Sequence, residues 1–394
     1  MTLAIPRGAL ADPPPAPPPG PPIEPQPPAE KKPLVSVTPT GYVEAYYAYN
    51  FNRPSNGITN YRGFDNRHNT FSLANAALGA NLEAGPIGGR VTLQVGSTPS
   101  TYYMSEPGLP GAGGASASNT ELWKYLQEAY VSYKAPIGRG LLLQLGLCAS
   151  PIGYEVFAIK DNWNWSRSNL FFGFPYYHTG LRVTYEFTPE LSSTMSLFNG
   201  WNSVVDNNEE KSVQTNVTYK VTGKVLLQAL YFGGVERPKG SPEGPYWRHH
   251  LDVFGQWDAT PSLSFAAQVD YGVEPNRVGA ASWGAGALYA RFKARPWLYL
   301  ALRGDVFQER LAASGGQSSA PLFWNGARWV GSGTATLDLR PHDQISIRLE
   351  YRHDEAESPL YFKGEIAGDG GSRGPFMANA KRQDTLLLGA TAWF

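Results

Sequence analysis

The connections between segments, more than the segments themselves, restrict what this chain can fold into. From residue 40 onward the sequence resolves into sixteen candidate strands, near 40–51, 71–84, 88–97, 124–135, 140–149, 179–188, 190–201, 211–222, 224–234, 247–258, 262–273, 283–295, 297–309, 328–340, 343–353 and 383–394. Every even-to-odd connection is short: Gly85-Pro86-Ile87, Pro136-Ile137-Gly138-Arg139, Pro189, Gly223, Thr260-Pro261, Pro296 and Pro341-His342. The odd-to-even connections read as longer, over 52–70, 97–123, 150–178, 202–210, 235–246, 274–282, 310–327 and 354–382. A soluble sandwich has no reason to alternate in this way, whereas a barrel threading a membrane has short turns on one side and long loops on the other. The expected fold is all-β: a transmembrane antiparallel up-and-down β-barrel of about 16 strands, with short periplasmic turns and long extracellular loops.

Within the strands, apolar and polar residues take turns. Val213, Thr215, Val217, Tyr219 and Val221 alternate with Ser212, Gln214, Asn216, Thr218 and Lys220; Ile345, Ile347, Leu349 and Tyr351 alternate with Gln344, Ser346, Arg348, Glu350 and Arg352. Successive side chains point to opposite faces, so each strand has one apolar and one polar face. That pattern also suits a water-soluble sandwich with its apolar face inward. Aromatic positions favour the membrane. Trp201, Trp247, Trp283 and Trp329 fall at strand ends on the long-loop side, and Trp257, Trp297 and Trp393 near the short-turn side, as two interfacial girdles would.

Composition narrows the classes further. The longest apolar run, 141–149, is far below the roughly 18 residues of a membrane-spanning helix, which excludes a helical membrane protein. Lysine plus arginine and aspartate plus glutamate number 33 each, so charge gives no reason to expect nucleic acid. The one cysteine, Cys148, rules out an internal disulfide framework and a multi-cysteine metal site.

Leu386, Leu388, Ala390, Ala392 and Phe394 share one face of the last candidate strand. An exposed apolar edge invites mispairing, and closure against the first strand removes it. This ending resembles the C-terminal signal by which bacterial outer-membrane barrels are recognised, with Phe394 as the residue read by the barrel assembly machinery. At the other end, Ala9-Leu10-Ala11 before Asp12 matches an A-x-A cleavage site, while Met1 to Gly8 lacks the charged and apolar regions of a full signal peptide. Residues 1–11 are therefore expected to be a signal-peptide remnant. Residues 12–39 are expected to be a Pro-rich disordered periplasmic segment with polyproline II character, and 40–394 the barrel.

Six segments carry a family likeness: Gly41-Tyr42-Val43-Glu44-Ala45-Tyr46-Tyr47, Phe64-Asp65-Asn66-Arg67-His68-Asn69-Thr70-Phe71, Gln127-Glu128-Ala129-Tyr130-Val131, Ser150-Pro151-Ile152-Gly153-Tyr154-Glu155, Asp161-Asn162-Trp163-Asn164-Trp165-Ser166-Arg167-Ser168 and Pro175-Tyr176-Tyr177-His178-Thr179-Gly180. Over residues 40–200 they resemble the OmpL-like beta-barrel porin family (beta-barrel porin type 2) of Gram-negative bacteria. The remainder resembles it through strand pattern and Phe394. The resemblance implies an outer-membrane barrel that conducts small solutes and points to no particular substrate.

Such a channel filters by radius and lining charge. About sixteen strands leave a lumen wide enough for water, so something must narrow it. The third long loop, 150–178, is the candidate, since the third outer loop of general porins folds inward. Glu155, Lys160, Asp161 and Arg167 are then expected at the eyelet, with Phe157, Trp163, Trp165, Phe171, Phe172 and Phe174 packing the loop on the wall. The other reading is an outward cap against lipopolysaccharide or a neighbouring protomer. Lumen-facing wall charges are Arg182, Glu186, Asp252, Asp270, Arg303, Asp305, Arg348, Glu350 and Arg352. Their mixed signs imply weak ion selectivity, unless they only pair with one another.

Glu44 and Glu128 also face the lumen, with Arg62, Arg67 or Lys134 as candidate partners. His249 and His250 point to opposite faces and cannot chelate from one strand, and 65–69 lacks the spacing of a calcium loop. No metal, cofactor or catalytic residue is expected. The leading expectation is an outer-membrane porin, a passive channel for small hydrophilic solutes or ions. A non-conducting barrel serving as adhesin or structural protein is the alternative. A barrel lipase using Ser166 and His178 is a third, although no nucleophile motif surrounds either. Expected partners are outer-membrane lipid and lipopolysaccharide, the assembly machinery, small hydrophilic solutes, and peptidoglycan through the Pro-rich segment. A homotrimer is left open, and no nucleic acid is expected.

Overall fold

A computed structural model describes residues 35–107 and 120–394; the expected signal-peptide remnant and the proline tract up to residue 34 lie outside the described residues. The period-two segments form β1 (Ser36–Asn50), β2 (Thr70–Ala84), β3 (Ile87–Val95), β4 (Leu126–Ala135), β5 (Leu141–Ala149), β6 (Tyr177–Glu186), β7 (Leu191–Phe198), β8 (Ser212–Thr222) and β9 (Val225–Val235). They continue as β10 (Trp247–Thr260), β11 (Leu263–Asn276), β12 (Gly279–Arg295), β13 (Leu298–Arg310), a small hairpin of β14 (Ala313–Ser314) and β15 (Gln317–Ser318), then β16 (Trp329–His342), β17 (Ile345–Ala356) and β18 (Arg382–Trp393). Leaving out that hairpin, each strand pairs with the next, and β1 pairs with β18 to close a sixteen-stranded barrel. Antiparallel closure satisfies every ladder and leaves no free edge.

The seam runs from Tyr42 opposite Trp393 to Asn50 opposite Thr385. Gly41 and Phe394 extend it, exchanging N–H···O bonds of 3.3 and 3.1 Å. β1 starts before residue 40, so Pro39 sits in the ladder opposite Ala80. It is tolerated because the amide of Gly41 points toward β18. The described β1–β18 pairing begins at Gly41, so at Pro39 it does not call on the donor that proline lacks.

The strands bury their polar face. Val217 and Tyr219 on β8 are 45% and 44% exposed, whereas Gln214 and Asn216 are 2% and 8% exposed. β17 repeats this, with Ile345, Ile347, Leu349 and Tyr351 outward and Arg348, Glu350 and Arg352 buried. Outward apolar residues settle the ambiguity of the alternation in favour of an apolar surrounding medium. The hydrophobic core lies inside the lumen, where loop residues such as Phe64, Tyr102, Phe171 and Trp324 meet inward wall residues such as Phe198, Phe232 and Phe307.

The alternation of connections has one exception. β11 and β12 run on past 274–282 and meet at a two-residue turn, Arg277–Val278. The Asn276 side chain accepts N–H bonds from Val278 at 2.9 Å and Gly279 at 3.1 Å, an Asx turn that replaces the expected long loop.

Candidate functional site

Residues 150–176 leave β5, enter the lumen and return to β6, with two single 3₁₀ turns at Ile159–Asp161 and Asn169–Gly173. Irregular backbone at membrane depth needs partners from the protein itself. The inward charges of the wall supply them. Glu350 accepts the Trp165 and Ser166 amides at 2.6 and 2.9 Å and the Thr336 hydroxyl at 2.7 Å. Arg348 donates to the carbonyls of Asn164 and Asn162 at 3.0 and 2.8 Å. Arg303 donates to the Ser166 carbonyl at 2.5 Å and to Glu155 at 2.8 Å, while Arg352 donates to the Arg167 carbonyl. Asp305 accepts the Asn169 amide at 3.0 Å, Asp252 the Gly153 amide at 3.3 Å and Gln268 the Tyr154 amide at 2.9 Å. Across the lumen, Glu44 accepts the Ile159 amide at 2.7 Å.

Shape fixes the loop as firmly as charge. A Cβ at Gly389 of β18 would run into the Trp165 ring, so this glycine is a slot in the lumen wall for the loop's tryptophan. Above the loop, the 51–69 segment folds down as a lid. Phe64 packs edge-on against Phe157 and Phe171, with ring centroids 5.6 and 5.5 Å away. Arg62 bonds Asp65, Asp354 and Thr385. Burial alone would raise the Asp65 pKa, but Arg62, with Arg352 and Arg167 behind it, holds the carboxyl below its ordinary value.

This arrangement redistributes the expected site residues. Of the four loop charges, Lys160 and Asp161 face open space and pair with each other at 2.9 Å. Glu155 and Arg167 are buried scaffolding instead of eyelet charges. Glu155 accepts the Ser168 amide and hydroxyl at 2.7 and 2.6 Å, and Arg167 donates to the Trp165 carbonyl at 2.7 Å beneath the Phe64 ring. Arg303, Asp305, Arg348, Glu350, Arg352 and Asp252 are buried inward and taken up by the loop, and Asp270 is bridged to Asp252 through Gln268.

Arg182 lies half-buried over the Tyr130 ring at 5.7 Å, and Glu186 is exposed at the short-turn rim. Glu128 pairs with Arg90 at 2.9 Å, not with Arg62, Arg67 or Lys134. Between the loop and β1–β5 remains a cavity of ≈ 480 Å³, lined by Tyr42, Arg90, Gln127, Glu128, Lys160 and Asp161 among others.

Trp247, Trp329, Trp257 and Trp297 lie exposed on the outer face. Three expected girdle residues do not. Trp283 is fully buried, because its parity on β12 is that of Ala281, Ala285 and Ala287, which face the lumen. Trp201 follows β7 and packs inside, under Arg248 at 4.9 Å. Trp393 shares the inward parity of Leu387 and Thr391. Ser166 and His178 have separate partners: Ser166 bonds Arg303, and the His178 ring nitrogens lie 3.1 Å from the Gly200 carbonyl and 3.2 Å from the Ser150 hydroxyl. His249 points outward to the Tyr231 hydroxyl at 2.8 Å while His250 is fully buried inward.

Sequence reasoning passed over the Gly389 slot, the Phe64 lid and a basic group of Arg291, Lys293 and Arg340. The last was visible as Arg291 and Lys293 at period two on one strand face.

Residues 36–394 match the family described as "Putative beta-barrel porin-2, OmpL-like". No curated protein matches the chain. Among solved structures it is similar to the outer membrane channel DcaP of Acinetobacter baumannii, at 12% identity over 93% of this chain and 99% of that one, with a TM-score of 0.56. It is also similar to outer-membrane expressed OmpT of Vibrio cholerae (10% identity, 92% and 99% covered, TM-score 0.57) and to an anion-selective porin from Comamonas acidovorans (11%, 91% and 100%, 0.57). At these identities the likeness to solved structures is one of fold. The family match spans all sixteen barrel strands, and the chain belongs to the OmpL-like beta-barrel porin-2 family: it is an outer-membrane β-barrel channel.

Proposed function

We propose that this porin passes small hydrophilic solutes by diffusion along an off-centre path between the inward loop and β1–β6. The observation that carries the reading is the loop's position. It is bound mainly by side chains of β10–β17, with Glu44 of β1 holding Ile159, and leaves the ≈ 480 Å³ cavity against β1–β5. Lys160 and Asp161 project toward that space from the loop, opposite the Arg90–Glu128 pair on the wall. Planar-bilayer recording of the refolded chain tests this: stepwise ion currents are expected, and no current across many insertions would leave the non-conducting adhesin reading in its place.

The long loops face outward in this reading, and the β1–β18 seam begins at the periplasmic rim, where Phe394 serves assembly. Protease treatment of intact cells is then expected to cut within 357–381 and to spare the turn at Gly85–Pro86. No bond chemistry is assigned, because Ser166 and His178 are held by other groups. A homotrimer is the assembly we read here, since a trimer form is among the solved structures sharing the fold. Cross-linking in native membranes would show a single-chain band only if that is wrong.

A further inference from the structure

The inward loop leaves two wall cations, Arg291 and Lys293, without an acidic partner among the described residues. Near the short-turn rim, β12, β13 and β16 gather three cations around Tyr299. The Arg291 guanidinium carbon is 5.6 Å from the Tyr299 ring, Arg340 is 5.2 Å and the Lys293 ammonium 5.8 Å. Arg291 also lies 4.8 Å over Trp163 of the loop. Two acids lie nearby, and the charge of one, Asp258, acts on Arg291 without pairing with it. Asp338 holds Arg340 at 2.9 Å and faces Arg348 at 3.5 Å, and Asp258 accepts Ser264 at 2.6 Å and Gln256 at 3.3 Å. Among the described residues no carboxylate pairs with Arg291 or Lys293. By contrast, Arg303, Arg348 and Arg352 each donate to loop carbonyls.

A guanidinium stacked between two rings keeps its face occupied and its N–H edge free. That edge is a fork matched to two oxygens of one anion. We propose that Arg291 and Lys293, with the Asp338-held Arg340 behind them, form an oxyanion subsite at the short-turn mouth of the lumen. It gives the channel an anion preference and favours small solutes bearing a carboxylate or phosphate. The inference rests on the channel reading above and adds a charge class to it. Wall charges with a net sign, in a confined lumen, raise the local concentration of the opposite ion.

The test is reversal potential across a KCl gradient with the refolded full chain. Wild type is expected to prefer chloride to potassium. Replacing both groups, Arg291→Gln with Lys293→Gln, is expected to lower the permeability ratio about three-fold, and Arg373→Gln, exposed in the 357–381 loop beside Asp369, to leave it unchanged. Millimolar phosphate or acetate is expected to reduce the chloride current of wild type and not of the double variant; the two salts compared show which oxyanion is preferred. If the double variant fails the heat-dependent gel shift of folded barrels, Arg291→Lys takes its place. It keeps the charge and the chloride preference and loses the oxyanion block. A cation-preferring wild type, or a ratio and block untouched in the folded variants, overturns the subsite. Absence of any current overturns the channel reading first and this one with it.

Discussion

Arg303, Arg348, Glu350 and Arg352 on β13–β17 and Arg90, Glu128 and Arg182 on β3–β6 all point into the same lumen, yet they meet different surroundings. Arg348 and Glu350 are 0% and 1% exposed, and each is hydrogen-bonded to loop backbone. The Arg90 and Glu128 side chains are 34% and 16% exposed and bond each other. Charge on a porin wall is thus of two kinds: buried charge that substitutes for the water a loop has lost, and wet charge that a passing ion can feel. The number of charges says nothing about selectivity until the two are separated. Removing one partner of a buried charged contact costs about 3–5 kcal/mol, whereas a partly exposed pair contributes about 0–1 kcal/mol. Variants on the two sectors should therefore part company.

Glu350→Ala should have the largest effect. It strands the Trp165 and Ser166 amides and leaves Arg348 with less compensation, so the loop is expected to detach. The expected outcome is a loss of about 3 kcal/mol or more in unfolding by denaturant, with larger and noisier single-channel currents. An unchanged conductance would show that the loop is held without this wall. Gly389→Leu comes next. It fills the Trp165 slot from the wall side and is expected to cost about 1–3 kcal/mol, again raising conductance while the folded barrel still forms.

These two positions show where a sequence stops being readable. Strand order, the short turns and the closing role of 386–394 are local matters of period two and turn residues, and they stand out in one chain. The two-residue turn at 277–278 is hard to read because Pro275, Asn276 and Gly279 suit a loop as well as a tight turn. Height along the strand suggests a girdle position for Trp283, whereas the parity of Leu288 puts odd residues of β12 inward. Glu155 and Arg167 could not be sorted from Lys160 and Asp161 by sequence at all. Their burial depends on Arg303, 148 residues beyond Glu155, and on Phe64 from another loop.

A smaller effect is expected from acid on the lid. Asp65 has a lowered pKa in the folded barrel, so its stabilising contribution is complete above the ordinary carboxylate value near 4 and is lost as pH falls through the lower folded value. Protonation removes the charge facing Arg62 and loosens 51–69. Hydrogen exchange of that segment should rise only in strong acid, and Asp65→Asn should show the fast exchange already at neutral pH. Fast exchange setting in above the ordinary value would contradict the assigned direction.

Glu128→Gln on the wet sector should disturb stability least. Its pair with Arg90 is partly solvated, so unfolding is expected to move by no more than about 0.5–1 kcal/mol. Its electrical effect has a definite sign. Without Glu128, Arg90 keeps a bond to Thr92 but loses its only carboxylate among the described residues, and Arg182 nearby has none. The cavity wall then gains net positive charge, and chloride permeation should increase relative to potassium, most clearly at low salt where screening is weakest. The same substitution reasoning at Glu350 gives collapse of the loop's seat instead of a tuned filter. If Glu128→Gln shifted unfolding as far as Glu350→Ala, or left the reversal potential unmoved at low salt, the division into buried and wet charge would not describe this lumen.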